Sequence, residues 1–72
     1  MSPVRLRLKE LRQAAHLTQA QLAKKVGVRQ ATINDLENDK SRRIELDLLE
    51  RLAAALGVEP GALLIREKKG MA

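Results

Sequence analysis

Residues Thr18 to Asn38 read TQAQLAKKVGVRQATINDLEN. Two short amphipathic patterns flank one glycine, Gly27: Leu22, Ala23 and Val26 before it, Thr32, Ile33 and Leu36 after it. The first pattern opens on T-Q-A-Q, a capping box. The Thr18 hydroxyl can accept from the Gln21 amide while the Gln21 side chain reaches back to Thr18. Gly27 suits the left-handed residue that ends a helix and reverses the chain. A second helix is expected from about Gln30 to about Asn38. A helix, a glycine turn and a second helix at this length is the arrangement that sets a helix into the major groove of DNA.

Working outward, the flanking sequence is read as helical on both sides, with no strand. A first helix is expected to start near Pro3, with Ser2 as N-cap and Pro3 at the first helical position. Val4, Leu8, Leu11 and Ala15 recur at helical spacing and are expected to face the core, leaving Arg5, Arg7, Lys9 and Arg12 mostly on the other face. His16 is expected to end this helix, where an imidazole suits the C-terminal dipole. Asn38-Asp39-Lys40-Ser41 is a polar turn. A fourth helix is expected over Leu46 to Leu56, with Leu46, Leu49, Leu52, Ala53 and Leu56 as its apolar face and Gly57 as its stop. A short fifth helix starts at Pro60 and turns Ala62, Leu63, Leu64 and Ile65 inward. The expected fold is all-α: a compact five-helix bundle with a helix-turn-helix at the second and third helices. The 72 residues are read as one domain, its core about 4–65, followed by a charged tail over 66–72.

Composition narrows the function. Apolar residues make up 44% and charged residues 32%, the balance of a folded chain rather than a disordered one. The net charge of +5 favours an anionic partner. Phe, Tyr and Trp are absent, which removes the stacking platforms of single-strand and RNA binders and favours duplex DNA. There is no Cys and only one His, so a metal site is not expected. No cofactor is expected either, and with no Cys nucleophile, no GxSxG and no phosphate-cradling glycine loop, neither is catalysis. No apolar run has the length of a membrane span and Met1-Ser2-Pro3 does not open a signal peptide, so the expected location is the cytoplasm.

LTQAQLAKKVGVRQATINDLEND, followed by LLERLAAALGVEPGALL, resembles the lambda-repressor/Cro-type (XRE-like) helix-turn-helix family over about Leu8 to Leu64. The resemblance implies a double-stranded DNA operator as partner and a homodimer on a two-fold site. With no separate oligomerisation domain expected, the dimer is read as weak without DNA, pairing around the fifth helix and the Gly57–Pro60 turn. It implies that Arg29, Gln30, Ala31 and Asp35 face base edges, with Asn34 nearby. Gln19 matches a phosphate-touching position at the start of the second helix. Lys40, Arg42 and Arg43 match a basic loop on the DNA backbone. Arg12 and Glu37 match an ion pair tying the first helix to the third. Three positions depart from the family pattern: Arg29 replaces a capping Ser or Thr, Asp39 replaces Gly, and Ile44 replaces Pro.

The chemistry of each residue sharpens these roles. Gln30 can bond adenine N6 and N7, and Arg29 guanine O6 and N7. Ala31 either meets a thymine methyl or simply permits close approach. Thr32 can give its methyl to the core and its hydroxyl to a phosphate. Asn34 reaches a base edge or phosphate, or is solvated. Asp35 accepts from cytosine N4 or pairs with Arg29 or a lysine. Lys24 and Lys25 are expected to be solvated. The function expected is a sequence-specific transcriptional regulator, a repressor or autoregulator. The alternatives are an antitoxin with a toxin partner, the controller of a restriction-modification operon, and a protein-interaction module without DNA readout.

Overall fold

In the computed structural model, which describes residues 4–40 and 43–66, the chain runs β1 (Val4–Leu6), α1 (Leu8–Ala14), α2 (Gln19–Val26), α3 (Gln30–Glu37), α4 (Leu46–Leu56), a 3₁₀ turn (Pro60–Leu63) and β2 (Leu64–Arg66). The capping box forms. Thr18 Oγ1 accepts from the Gln21 N–H at 3.0 Å, and Gln21 Oε1 accepts from the Thr18 N–H at 2.8 Å. These bonds satisfy two of the amides that a helix start leaves without partners. At the other end of α2, Gly27 sits at φ +80°, and Gly57 closes α4 in the same way at φ +71°. Both are left-handed positions where a side chain costs conformational energy.

The core gathers one stripe from each helix: Leu8 of α1, Leu22, Ala23 and Val26 of α2, Ile33 and Leu36 of α3, and Leu49, Leu52 and Ala53 of α4, closed by Leu63. Leu8, Leu22, Ile33, Leu52 and Leu63 are entirely buried. Each such side chain contributes about 1.5–3 kcal/mol on leaving water. Ile44, where the family pattern has Pro, packs against this core from the segment before α4.

Among the described residues, the two outermost segments differ from the expected helices. Four α-helices and a 3₁₀ turn replace five helices among these residues, and a two-stranded antiparallel sheet, Val4–Leu6 with Leu64–Arg66, takes the place of helical ends. Val4 pairs with Arg66, Arg5 with Ile65 and Leu6 with Leu64. Arg7 extends the junction, its N–H donating to the Leu63 carbonyl at 2.9 Å and its Nε to the Ala62 carbonyl at 2.7 Å. The ladder pairs the backbone groups of these two segments with each other, where a helix would pair them only within itself. Val4 and Leu64, expected to face the core, are each 43% exposed. Leu11 and Ala15 are half-buried, as are Ala62 and Ile65. Leu46, expected on the apolar face of α4, is 81% exposed, because this first helical residue overhangs the core that begins a turn later at Leu49. α1 ends at Ala14, and His16 follows as an exposed residue at φ +60°. The Ser2–Pro3 helix start, Arg42 and the tail from Glu67 onward lie outside the described residues.

Candidate nucleic-acid interface

α3 is eight residues long and amphipathic in a specific way. Ile33 and Leu36 are buried against the core, while Gln30, Ala31 and Asp35 are exposed. Gln30 and Asn34, four residues apart, form the flank that faces α2. Ala31 and Asp35, also four apart, lie on the outer strip. Arg29 stands at the N-cap in an extended conformation (φ −78°, ψ 152°) without capping through its side chain. The turn into α3 therefore forms without the hydroxyl acceptor that Ser or Thr would supply. Thr32 is half-buried.

Beyond α3 the chain turns sharply. Asp39 occupies a left-handed conformation at φ +58°, which Asp tolerates better than most residues. The Lys40 N–H then donates to the Asp35 carbonyl at 2.9 Å, folding the start of the basic loop back against the end of α3. Lys40 and Arg43 are exposed on either side of the undescribed residues 41 and 42. Asp35 lines a shallow cleft shared with Thr32, Arg43 and Glu45. Lys24 and Lys25 are exposed on α2.

Beneath this surface sits an ionic network. Arg12 of α1 is paired with Glu37 at the end of α3. Arg12 Nε donates to Glu37 Oε2, and Arg12 Nη2 donates to Glu37 Oε1 at 3.1 Å. The side chains are only 11% and 2% exposed. Arg12 Nη1 also donates to the Leu17 carbonyl at 2.8 Å, fixing the α1–α2 turn. The hydrogen bond to Glu37 raises the Arg12 pKa, against the opposing effect of burial. A two-pronged pair this well covered holds α1 to α3, and removing one partner would strand the other charge at a cost of about 3–5 kcal/mol.

Gln19, expected only as a phosphate contact, has partners within the protein. Its Nε2 donates to Glu37 Oε1 at 2.9 Å, and its Oε1 lies 3.5 Å from both Gln30 Nε2 and Asn34 Nδ2. The fold thus brings Gln19, Gln30, Asn34, Glu37 and Arg12 together, while Arg29, Ala31, Asp35, Lys40 and Arg43 stand on the open surface around them. The Gln19–Glu37 bond has no signal in the sequence. Eighteen residues separate the two, and only the crossing of α2 and α3 brings them together. Among the described residues no group of acidic, His or Cys side chains is placed to hold a metal ion.

The helix-turn-helix family model matches residues 8–63, most of the chain, and the protein belongs to that family, of the lambda-repressor/Cro (XRE) type. Solved structures share the fold. The restriction-modification controller protein C.AhdI from Aeromonas hydrophila is 37% identical, with a TM-score of 0.74 over 79% of this chain and 85% of that one. A candidate DNA-binding protein from Bacteroides fragilis is 29% identical, with a TM-score of 0.79 over 86% of this chain and 98% of that one. SinR, a master regulator for biofilm formation found in Bacillus subtilis, is 26% identical in its complex with DNA, with a TM-score of 0.76 over 79% of this chain and 90% of that one. In the complex of SinR with SinI, the match spans 55% of the other chain.

Proposed function

We propose that this protein is a sequence-specific double-stranded DNA-binding transcriptional regulator, a repressor or autoregulator, that reads the major groove with α3. The observation that carries this reading is the division of α3. Ile33 and Leu36 seal it to the core, while Gln30, Ala31, Asn34 and Asp35 form a polar, small-residue strip on the surface. Gln and Asn amides match the donor and acceptor pattern of base edges, and Ala admits close approach. Arg29 extends the base-reading set. Gln19, Thr32, Lys40, Arg42 and Arg43 are assigned to phosphates, which position the helix without reading sequence. The net charge of +5 supplies the attraction to duplex DNA.

One domain of this size reads few base pairs, so the reading includes a homodimer on a two-fold operator, with two copies of α3 about 34 Å apart. It assigns no catalytic residue and no cofactor, and it places the protein in the cytoplasm with its DNA. Among the described residues no helix is long and apolar enough to cross a membrane. The test is selection of bound duplexes from a random pool, followed by titration over a salt series. A two-fold consensus with steep salt dependence supports the reading. No affinity for any duplex even at low salt overturns it in favour of a protein-interaction module.

The 37% identity to a restriction-modification controller favours a second role for the same surface, control of such an operon. A selected site upstream of the protein's own gene, beside endonuclease and methyltransferase genes, would support it. A toxin gene in that place would make the protein an antitoxin instead.

A further inference from the structure

We infer that the buried Glu37 carboxylate sets which side of the Gln30 and Asn34 amides faces the DNA groove, making Glu37 a positioning residue for base reading. The inference rests on the DNA-reading function proposed above. A carboxylate held in an ion pair only accepts hydrogen bonds. Glu37 takes Arg12 on both oxygens, and its Oε1 also takes Gln19 Nε2 at 2.9 Å. The Gln19 amide therefore has no choice of orientation: its NH₂ must face Glu37 and its oxygen must face Gln30 and Asn34. That oxygen lies 3.5 Å from Gln30 Nε2 and 3.5 Å from Asn34 Nδ2, so both of those amides turn their NH₂ sides toward α2. Their oxygens are left on the open side as acceptors. A charge 2% exposed to solvent thus fixes, through one glutamine, the polarity of two surface amides.

This polarity has a consequence for the bases. Outward-facing acceptors suit the N6 amine of adenine and the N4 amine of cytosine, whereas guanine offers only the acceptors O6 and N7 in the major groove. Gln30 keeps a second N–H for adenine N7, so the two-bond contact with adenine survives and guanine is rejected. A Gln19 amide free to flip would turn its NH₂ to Gln30 and Asn34, let those two amides present donors to the groove, and remove that rejection.

The experiment uses the full chain and the duplex it selects, with every base pair substituted in turn. Glu37→Gln can offer an NH₂ to the Gln19 oxygen and so releases the flip. Gln19→Met removes the connecting amide and leaves the Arg12–Glu37 pair in place. Each is expected to reduce the adenine-over-guanine ratio at the Gln30 position by roughly tenfold, the scale of one good base contact. The double variant is expected to lose no more than either single one. Gln19→Met carries the test if Glu37→Gln does not fold. Uniform weakening on all duplexes with the ratio intact would leave Glu37 a structural role and Gln19 only its phosphate contact, and overturn the inference alone. A wild-type protein that binds no duplex would overturn the DNA-reading function and this inference with it.

Discussion

Arg51 of α4 donates its Nη1 to the carbonyl of Val26, the last residue of α2, at 2.8 Å. Val26 immediately precedes the turn that aims α3, so α4 braces the helix-turn-helix at its pivot. A cation there meets a carbonyl that the helix end leaves without an intrahelical partner, and it also meets the negative end of the helix dipole. Arg51 makes a second, weaker interaction with Asp47 at 3.4 Å, on side chains 47% and 80% exposed. The two should separate by mutation. Arg51→Ala is expected to destabilise the fold by about 1 kcal/mol, and Asp47→Ala by no more than a few tenths, as befits an exposed pair. Denaturant unfolding of the two variants checks this, and equal losses would shift the role from the Val26 carbonyl to the ion pair.

Gly27 and Gly57 provide a cleaner measure of backbone cost. A Cβ at Gly27 would meet only Arg51 Nη1, at 3.7 Å, and a Cβ at Gly57 would meet nothing within 4 Å. Space is therefore available at both, and the penalty comes from φ values of +80° and +71°. Gly27→Ala and Gly57→Ala should each cost about 1–2 kcal/mol in unfolding free energy. Asp39→Gly, which relieves a side chain at φ +58°, should be neutral or slightly stabilising. A cost for Gly27→Ala well above that for Gly57→Ala would point to steric crowding by Arg51 instead.

These glycines also show why the centre of the fold was legible in the sequence and its ends were not. The capping box at Thr18, the stops at Gly27 and Gly57 and the stripes of α2, α3 and α4 are local signals, each written within a few residues of the feature it dictates. β1 carries a local signal too. Val4-Arg5-Leu6-Arg7-Leu8 alternates strictly, but the same residues also fit helical spacing through Val4, Leu8 and Leu11. The choice between them belongs to Leu64–Arg66, the pairing partner, which lies at the far end of the chain. At the interface, helix periodicity separates the buried Ile33 and Leu36 from the exposed Gln30, Ala31 and Asp35, while the base-facing roles come from the family resemblance. The bond between Gln19 and Glu37 depends on how two helices cross and has no signature in either segment.

Acid should weaken one surface contact in a defined direction. Hydrogen bonds from its own backbone N–H, and then from Arg5, hold the Glu10 carboxyl below its ordinary value of 4.5. A carboxylate whose pKa is lower folded than unfolded stabilises the protein above the unfolded pKa, and that stabilisation disappears as pH falls through the folded one. Glu10 is more than half exposed at the Arg5 pair, so the effect is small and screened by salt. Wild type is expected to melt slightly above Glu10→Gln at pH 7. The two should converge once acid has protonated Glu10. A gap that persists or widens in acid would contradict the assignment.

Gln30 and Lys40 should respond differently to truncation, because one is assigned to bases and the other to the backbone. Gln30→Ala is expected to cost roughly 1–3 kcal/mol on the selected duplex and much less on duplexes already altered at its own base pair. Uniform weakening on every sequence would remove Gln30 from the reading set. Lys40→Ala should do what Gln30→Ala does not. Lys40 stands exposed where the loop folds back on the Asp35 carbonyl, and the proposed function assigns its ammonium to a phosphate. Losing it should weaken all duplexes alike and lower the slope of log affinity against log salt by about one unit. An unchanged slope would mean that Lys40 is solvated in the complex, leaving the backbone contacts of that loop to Arg42 and Arg43.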